Sequence, residues 1–203
     1  DKFLSAHREW VKDKGDGTLS LNYDLNRDSI VFDLGGYKGD FAYEMYDRYK
    51  CKVFVFEPVK DYYEHIQKRF SGNENVKVFH FGLSNEDTQL EISVSESASS
   101  IYNNNSRKKE IIELKSIMNF IEENKIDKID LFKINIEGGE FDVLPAMIKA
   151  DYIKNITDLQ IQFHTFVENS EEKRKAIQKE LEKTHKLTYN YWFIWENWKN
   201  VKK

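Results

Sequence analysis

Three short apolar runs lie between residues 29 and 82, separated by stretches in which apolar residues recur every three or four positions. Recurrence at that spacing places side chains on one face of a helix, whereas short runs rich in β-branched and aromatic residues are typical of strands. Strands and helices that alternate in this way indicate a βαβαβ half-sheet of parallel strands, and hence an α/β fold. The three runs are residues 29–34, 53–56 and 76–81.

The rest of the chain continues the α/β pattern and ends in an aromatic segment. Residues 129–136, with five apolar residues in eight, predict a central strand. Residues 1–28 contain weak helical patterns, and we expect an N-terminal arm or lid there, followed by one domain over 29–203. The remaining predictions are a half-exposed strand at 90–94, a loop at 103–109, a helix at 116–123, a strand at 159–163, a helix at 171–183 and a final hairpin within 187–198.

Composition limits the classes of function. The 203 residues carry a net charge of -4, which argues against a duplex-DNA partner because such proteins normally present a basic face. No apolar run approaches the roughly 18 residues that span a bilayer, so we expect no membrane span. The single cysteine, Cys51, cannot form an internal disulfide, which fits a cytoplasmic, reducing compartment.

A glycine turn follows the first predicted strand and is the default ligand site of such a sheet. It reads Asp33-Leu34-Gly35-Gly36-Tyr37-Lys38-Gly39. A dinucleotide fingerprint needs glycine where this turn has Leu34, so binding of a pyrophosphate is disfavoured. A carboxylate at Asp33 would repel phosphates and attract the ammonium of an amino-acid-like ligand. An ordinary tight turn remains the alternative for the glycines Gly35, Gly36 and Gly39.

Glu57 follows the second predicted strand, 24 residues after Asp33, and precedes Pro58. An acid at this place in a nucleotide-binding sheet accepts the hydroxyls of a ribose. A ligand with an amino-acid end and a ribose is S-adenosylmethionine (SAM), whose methyl-transfer product is S-adenosylhomocysteine (SAH). Two alternatives stay open: Glu57 caps the next helix, or it holds the ribose of a nicotinamide cofactor in an oxidoreductase.

A third motif, Lys133-Ile134-Asn135-Ile136-Glu137-Gly138-Gly139-Glu140, follows the predicted central strand. Together with the glycine turn and the Glu57-Pro58 pair, it resembles the FkbM family of SAM-dependent methyltransferases. The resemblance implies a Rossmann-like class I methyltransferase sheet of order 3-2-1-4-5-7-6 with the last strand pair antiparallel. Asn135 departs from the family pattern, which usually has Asp there, and an amide cannot act as a base. A cofactor-binding scaffold with impaired catalysis is therefore a further alternative.

The implied sheet places Asn135, Glu137 and His164 around one cleft. We expect Asn135 and Glu137 to orient the reacting groups and His164 to accept the proton of a hydroxyl, since histidine is the most frequent general base in enzymes. Ser84 occupies the position that usually contacts the adenine. The acceptor implied by the resemblance is a small molecule or a glycan, not a nucleic acid.

Each candidate has a structural alternative. Glu137 and Glu140 are also acids favoured at the N-terminus of a helix, and His164 can be an ordinary histidine at the edge of the core. Glu137, Glu140 and His164 are side-chain types that bind metals, but their spacing is not that of a metal motif and Asn135 removes a carboxylate; we therefore predict no metal ligands and leave metal dependence as an open alternative. The aromatic segment 187–198 can form a sugar-stacking wall or, as we favour, pack on the sheet.

Overall fold

The computed structural model describes residues 1–94 and 108–202. The described helices are α1 (Lys2–Lys12), α2 (Asp40–Tyr49), α3 (Lys60–Arg69), α4 (Ile117–Glu123), α5 (Glu140–Lys149) and α6 (Ser170–Leu181). The described strands are β1 (Ile30–Leu34), β2 (Lys52–Phe56), β3 (Val76–Phe79), β4 (Gly82–Ser84), β5 (Thr88–Val94), β6 (Lys108–Ser116), β7 (Ile129–Ile134), β8 (Ile156–Ile161), β9 (His185–Tyr191) and β10 (Trp195–Asn200).

Seven strands form the main sheet in the order β3-β2-β1-β7-β8-β10-β9. The first five are parallel, whereas β10 is antiparallel to both β8 and β9. In chain order this is the 3-2-1-4-5-7-6 arrangement, so the predicted fold class and the antiparallel end are confirmed. The order reverses between β1 and β7, which is where an open parallel sheet binds its ligands.

A second, three-stranded sheet has the order β4-β6-β5. The prediction of a half-exposed antiparallel strand at 90–94 is confirmed by β5, which pairs antiparallel with β6. The prediction of a loop at 103–109 is wrong at its end, because Lys108 and Lys109 begin β6; residues 103–107 lie outside the described residues. The Lys109 ammonium lies 2.7 Å from the carboxylate of Glu91 on β5. Polar residues that suggest a loop therefore belong to a strand here, because they form charge pairs with the neighbouring strand.

The core has a layer on each face of the main sheet. Val31 and Val53 of the sheet pack with Met45 of α2 and Ile66 of α3 on one face. On the other face, Phe32 of β1, Phe56 of β2 and Phe120 of α4 form part of a larger cluster with α5 and α6. The helical stripes predicted for α2 and α3 therefore do bury their apolar faces, and burial on both faces explains why the central strands are almost continuously apolar.

The N-terminal segment packs against the final hairpin. The ring of Trp10 lies 5.1 Å from that of Tyr191, and the indole nitrogen of Trp10 donates to Asp16 at 2.9 Å. The Tyr191 hydroxyl donates to Asp13 at 2.6 Å. The predicted hairpin is present as β9 and β10, and its aromatic rings are used mainly in packing. The division of the chain at residue 28 stays a prediction.

Within the described ranges, every helix is too short or too polar to cross a membrane.

Candidate active site

One large cavity opens at the carboxyl ends of β1, β2 and β7. Its volume is about 1180 Å³, whereas a pocket for one drug-sized ligand measures roughly 300–1,000 Å³. The cavity thus has room for a cofactor and part of a second molecule. Of the residues predicted to form a site, those that line it are Gly35, Gly36, Glu57, Pro58, Ser84, Asn135 and Glu137.

The glycine turn closes tightly against the end of β7. Gly35 has a φ of +86°, and a Cβ built on it would lie 2.0 Å from the carbonyl oxygen of Asn135. Only glycine fits both conditions. The backbone N–H of Asn135 donates to the carbonyl of Leu34 at 3.0 Å, which holds the ends of β1 and β7 together. The glycine turn therefore positions Asn135 in the cavity wall, and Gly39, with a φ of +79°, ends the turn as the N-cap of α2.

Glu57 is buried in the cavity wall. Its two carboxylate oxygens accept the backbone N–H groups of Tyr37 and Val59, each at 2.8 Å. Burial raises the pKa of Glu57 to about 7, and the two backbone hydrogen bonds partly offset the rise. Each carboxylate oxygen can accept more than one hydrogen bond. Glu57 is therefore held rigidly and retains acceptor capacity for hydroxyl groups.

Asp33 lies behind the cavity wall. Its Oδ1 is 2.7 Å from the ammonium of Lys133, which also donates to the carbonyl of Gly35 at 2.9 Å. The Asp33 side chain is fully buried, and its Oδ2 has no hydrogen-bond partner in the described part of the chain. Burial raises the pKa of Asp33, while the charge of Lys133 opposes the rise. Lys133 lines the cavity and Asp33 does not, so direct contact of Asp33 with a ligand stays a prediction.

Asn135 presents an unused acceptor. Its Oδ1 is buried and forms no hydrogen bond to any described residue, although Asn135 itself lines the cavity. Buried polar atoms are nearly always paired, so an orphan in a cavity wall marks a position where a ligand donor would be stabilised.

Glu137 and His164 lie next to each other at the rim of the cavity. Glu137 lines it with an 80% exposed side chain and a φ of +52°, a left-handed conformation that is uncommon outside glycine. The Nε2 atom of His164 is 3.9 Å from Glu137 Oε1. His164 is 13% exposed and does not itself line the cavity. Of the three predicted catalytic residues, Asn135 and Glu137 thus line the cavity and His164 lies beside Glu137.

Glu140 is the partner of His164 that the sequence did not indicate. Its Oε1 lies 2.9 Å from Nδ1 of His164 and accepts the backbone N–H of the same residue at 2.8 Å. Its Oε2 accepts the backbone N–H of Gly138 at 2.9 Å. The side chain is completely buried. These contacts join α5 to the segment after β8, 24 residues along the chain.

Two more parts of the wall were missed from sequence. The second sheet contributes apolar side chains to the wall, and the N-terminal segment contributes four residues. The alternation of Leu90 and Ile92 was a signal for the first part, and the arm or lid expected at residues 1–28 was a signal for the second that did not identify individual residues. The missed residues are Leu90, Ile92, Ile112 and Leu114 from the second sheet, and Asp16, Gly17, Ser20 and Leu21 from the N-terminal segment.

The described residues contain no group of three or more His, Cys, Asp or Glu side chains arranged to hold a metal ion.

Comparison with protein families gives one match over most of the chain. The sequence model of the family described as the methyltransferase FkbM domain matches residues 33–191. No curated protein sequence matches the chain significantly.

The fold is similar to those of solved methyltransferases at low sequence identity. An rRNA methylase from Streptococcus thermophilus has a TM-score of 0.51 at 12% identity, covering 87% of this chain and 89% of that one. SMU.1697c from Streptococcus mutans, described as a candidate methyltransferase in complex with SAH, has a TM-score of 0.55 at 11% identity, covering 94% and 97%. At these identities the similarity establishes the fold alone.

Proposed function

Because the chain belongs to the FkbM methyltransferase domain family, we propose that it transfers the methyl group of SAM to a hydroxyl of a sugar, a glycan precursor or a secondary metabolite. The observation that carries the proposal is the cavity wall itself. The wall combines a rigid carboxylate at Glu57, an unpaired acceptor at Asn135 and the carboxylate of Glu137, which has His164 beside it.

The residues present fit this cofactor. Glu57 would accept the ribose hydroxyls, with Pro58 and Ser84 on the side of the adenine, where the second sheet supplies apolar cover. The unpaired Oδ1 of Asn135 would accept from the ammonium of the methionine portion, beside the glycine turn. The buried Asp33 would contribute to cofactor binding indirectly, because its carboxylate holds the ammonium of Lys133 in the cavity wall.

When bound, SAM supplies an electrophilic methyl group on a sulfonium. The acceptor oxygen forms a bond to the methyl carbon as the bond from that carbon to sulfur breaks, and sulfur keeps the electron pair. The residues of the chain must align the oxygen and remove its proton. His164 accepts that proton at the rim of the cavity, and Glu137 beside it orients the hydroxyl.

The charge of the residues that line the cavity supports a small-molecule or glycan acceptor rather than a nucleic acid. Besides Glu57, five carboxylates line the cavity against three cations, and two of the cations are already paired, Lys133 with Asp33 and Arg48 with Glu44. Such a surface would repel the phosphates of RNA or DNA. The five are Asp16, Asp40, Glu44, Glu137 and Asp142.

Two further expectations belong to this proposal. The N-terminal segment 1–28 would act as an arm or lid over the cavity, since Ser20 and Leu21 line the cavity. We place the reaction in the cytoplasm, because Cys51 is a buried free thiol that suits a reducing compartment.

Isothermal calorimetry with SAH and with NAD⁺ tests the cofactor, and transfer of labelled methyl from SAM to panels of polyols, glycans and RNA tests the acceptor. We expect binding of SAH but not NAD⁺, and label on a hydroxyl compound. Binding of NAD⁺ without SAH would favour an oxidoreductase. Tight binding of SAH without transfer to any acceptor would favour the scaffold alternative, and label on RNA would exclude the proposed acceptor class.

We expect SAH to bind more tightly as the pH rises from about 6 to about 8. The pKa of Glu57 is about 7 in the free protein. Ribose hydroxyls donate more strongly to an ionised carboxylate than to a neutral one, so binding should favour loss of the Glu57 proton. Below the pKa, the dissociation constant should change by up to about tenfold per pH unit. Calorimetry in buffers of different ionisation enthalpy would measure the proton released.

Glu57→Gln is the matched control, because it preserves size and removes the titration. The variant should bind SAH more weakly at pH 8 by about 1–3 kcal/mol, with no pH dependence near neutrality. Equal pH dependence in the two proteins would assign the titration to another group and remove the ribose role of Glu57.

A further inference from the structure

The Glu140 carboxylate is surrounded by donors of the protein itself. Three nitrogen atoms lie within hydrogen-bond distance: the backbone nitrogens of Gly138 and His164, and Nδ1 of the His164 ring. Since the side chain is completely buried, leaving any of these donors or the carboxylate unpaired would be costly. The arrangement therefore restrains both Glu140 and the ring in front of it.

The geometry decides which ring nitrogen holds the proton. A carboxylate oxygen that lies 2.9 Å from Nδ1 and already accepts a backbone N–H is an acceptor, so Nδ1 must be the donor. A neutral imidazole with its proton on Nδ1 has its lone pair on Nε2. That nitrogen is the one on the side of Glu137, 3.9 Å from its Oε1.

We propose that Glu140 is a positioning residue that fixes His164 as the Nδ1–H tautomer, so that Nε2 is the atom that accepts the proton of the methyl acceptor. The proposal rests on the proposed role of His164 and adds a residue to it. Glu140 touches neither cofactor nor acceptor, because its side chain is completely buried and does not line the cavity.

The same contacts supply a place for the charge that proton uptake creates. An imidazolium at His164 would lie between the buried carboxylate of Glu140 and the exposed carboxylate of Glu137. The ring of Phe166, 5.3 Å away between centroids, packs beside it. Carboxylates on both sides stabilise the protonated ring through Coulomb attraction. Proton uptake would therefore need no rearrangement of the ring.

Nitrogen-15 NMR of protein labelled at its histidines tests the proposal directly. Above the titration of the ring, the nitrogen shifts and couplings identify the tautomer at each histidine, and His164→Gln assigns the signal. We expect His164 to be predominantly Nδ1–H. The opposite result, a predominant Nε2–H tautomer in the unaltered protein, would overturn the proposal by itself.

His185 provides an internal control in every spectrum. Its Nε2 lies 2.9 Å from the carbonyl oxygen of Ile156, which can only accept, so His185 must be the Nε2–H tautomer. It is buried far along the chain from Glu140 and reports whether the sheet remains folded.

Two substitutions then test the role of Glu140. Glu140→Met removes the acceptor at similar size, and the milder Glu140→Asp keeps the charge but withdraws the carboxylate by one methylene. Both should lose the Nδ1–H preference at His164 while His185 is unchanged. An unchanged tautomer at His164 in whichever variant folds would overturn the proposal.

The kinetic consequence separates positioning from support of the fold. Glu140→Asp should lower kcat for methyl transfer, while the dissociation constant of SAH stays at its original value. Equal kcat in the two proteins would contradict the positioning role. If the unaltered protein fails to bind SAH, the proposed function fails, whereas the tautomer measurement still decides whether Glu140 orients His164.

Discussion

Lys133→Met is expected to lower the free energy of unfolding by about 3–5 kcal/mol, since breaking a buried ion pair leaves one charge without a partner. The Lys133 ammonium is the ion-pair partner of the fully buried Asp33 carboxylate, at 2.7 Å. The other oxygen of Asp33 has no partner in the described part of the chain. Methionine would replace the stem of the lysine and leave Asp33 wholly uncompensated. Urea unfolding near pH 8 measures the difference.

The pH dependence identifies the cause of that loss. Burial already raises the pKa of Asp33, and Lys133 opposes the rise, so the variant should raise the pKa further. An acid with a raised pKa in the folded state destabilises the protein at high pH, and the penalty disappears below the pKa of the unfolded chain, about 3.9. The stability deficit should therefore shrink as the pH is lowered toward that value.

The double variant Asp33→Asn/Lys133→Met is the matched control. Removing both charges avoids the unpaired carboxylate, so it should recover much of the stability lost in the single variant. A single variant within about 1 kcal/mol of the original protein, the range of an exposed ion pair, would show that the pair contributes little.

The main sheet could be predicted because its signals are local. The run 29–34, its glycine turn and the helical stripe that follows each contain their own pattern, and the same holds for 53–56 and 129–136. The strand order of the sheet was implied by the resemblance to the FkbM family and not by these local patterns. The site residues at the ends of these strands, such as Glu57 and Asn135, could be placed because strand ends in a parallel sheet share an edge.

What the sequence did not reveal depends on contacts between distant segments. Asp33 faces Lys133 because the register of β1 and β7 sets them side by side, 100 residues apart. Glu140 meets His164 only after β8 has returned beside β7. Neither contact produces a periodic pattern of residues that could be recognised in the sequence.

The second sheet was hidden for a different reason. β4 has only three residues, too few to show an alternation. In β6 the charged residues Glu113 and Lys115 alternate with apolar ones, and its first residues are lysines that composition alone assigns to a loop. Strand propensity is set largely by packing against neighbouring strands. Here the neighbour is β5, which precedes residues 95–107 in the chain.

The largest effect on catalysis is expected at His164. His164→Ala should lower the turnover of labelled methyl transfer by about 10²–10⁴-fold, the usual contribution of a general base. The dissociation constant of SAH should stay the same, because His164 is not among the residues that line the cavity where the cofactor is proposed to bind. The measurement pairs single-turnover transfer to the identified acceptor with calorimetry on the same preparation.

His65→Ala is the control, since His65 is exposed on α3 and does not line the cavity. It should retain full turnover. Glu137→Gln tests whether Glu137, rather than His164, is the base. If Glu137 only orients the hydroxyl, its loss should lower turnover less than the loss of His164. Full activity in His164→Ala, together with strong loss in Glu137→Gln, would assign the proton to the carboxylate of Glu137, whose exposed side chain lines the cavity and whose backbone is in an uncommon left-handed conformation.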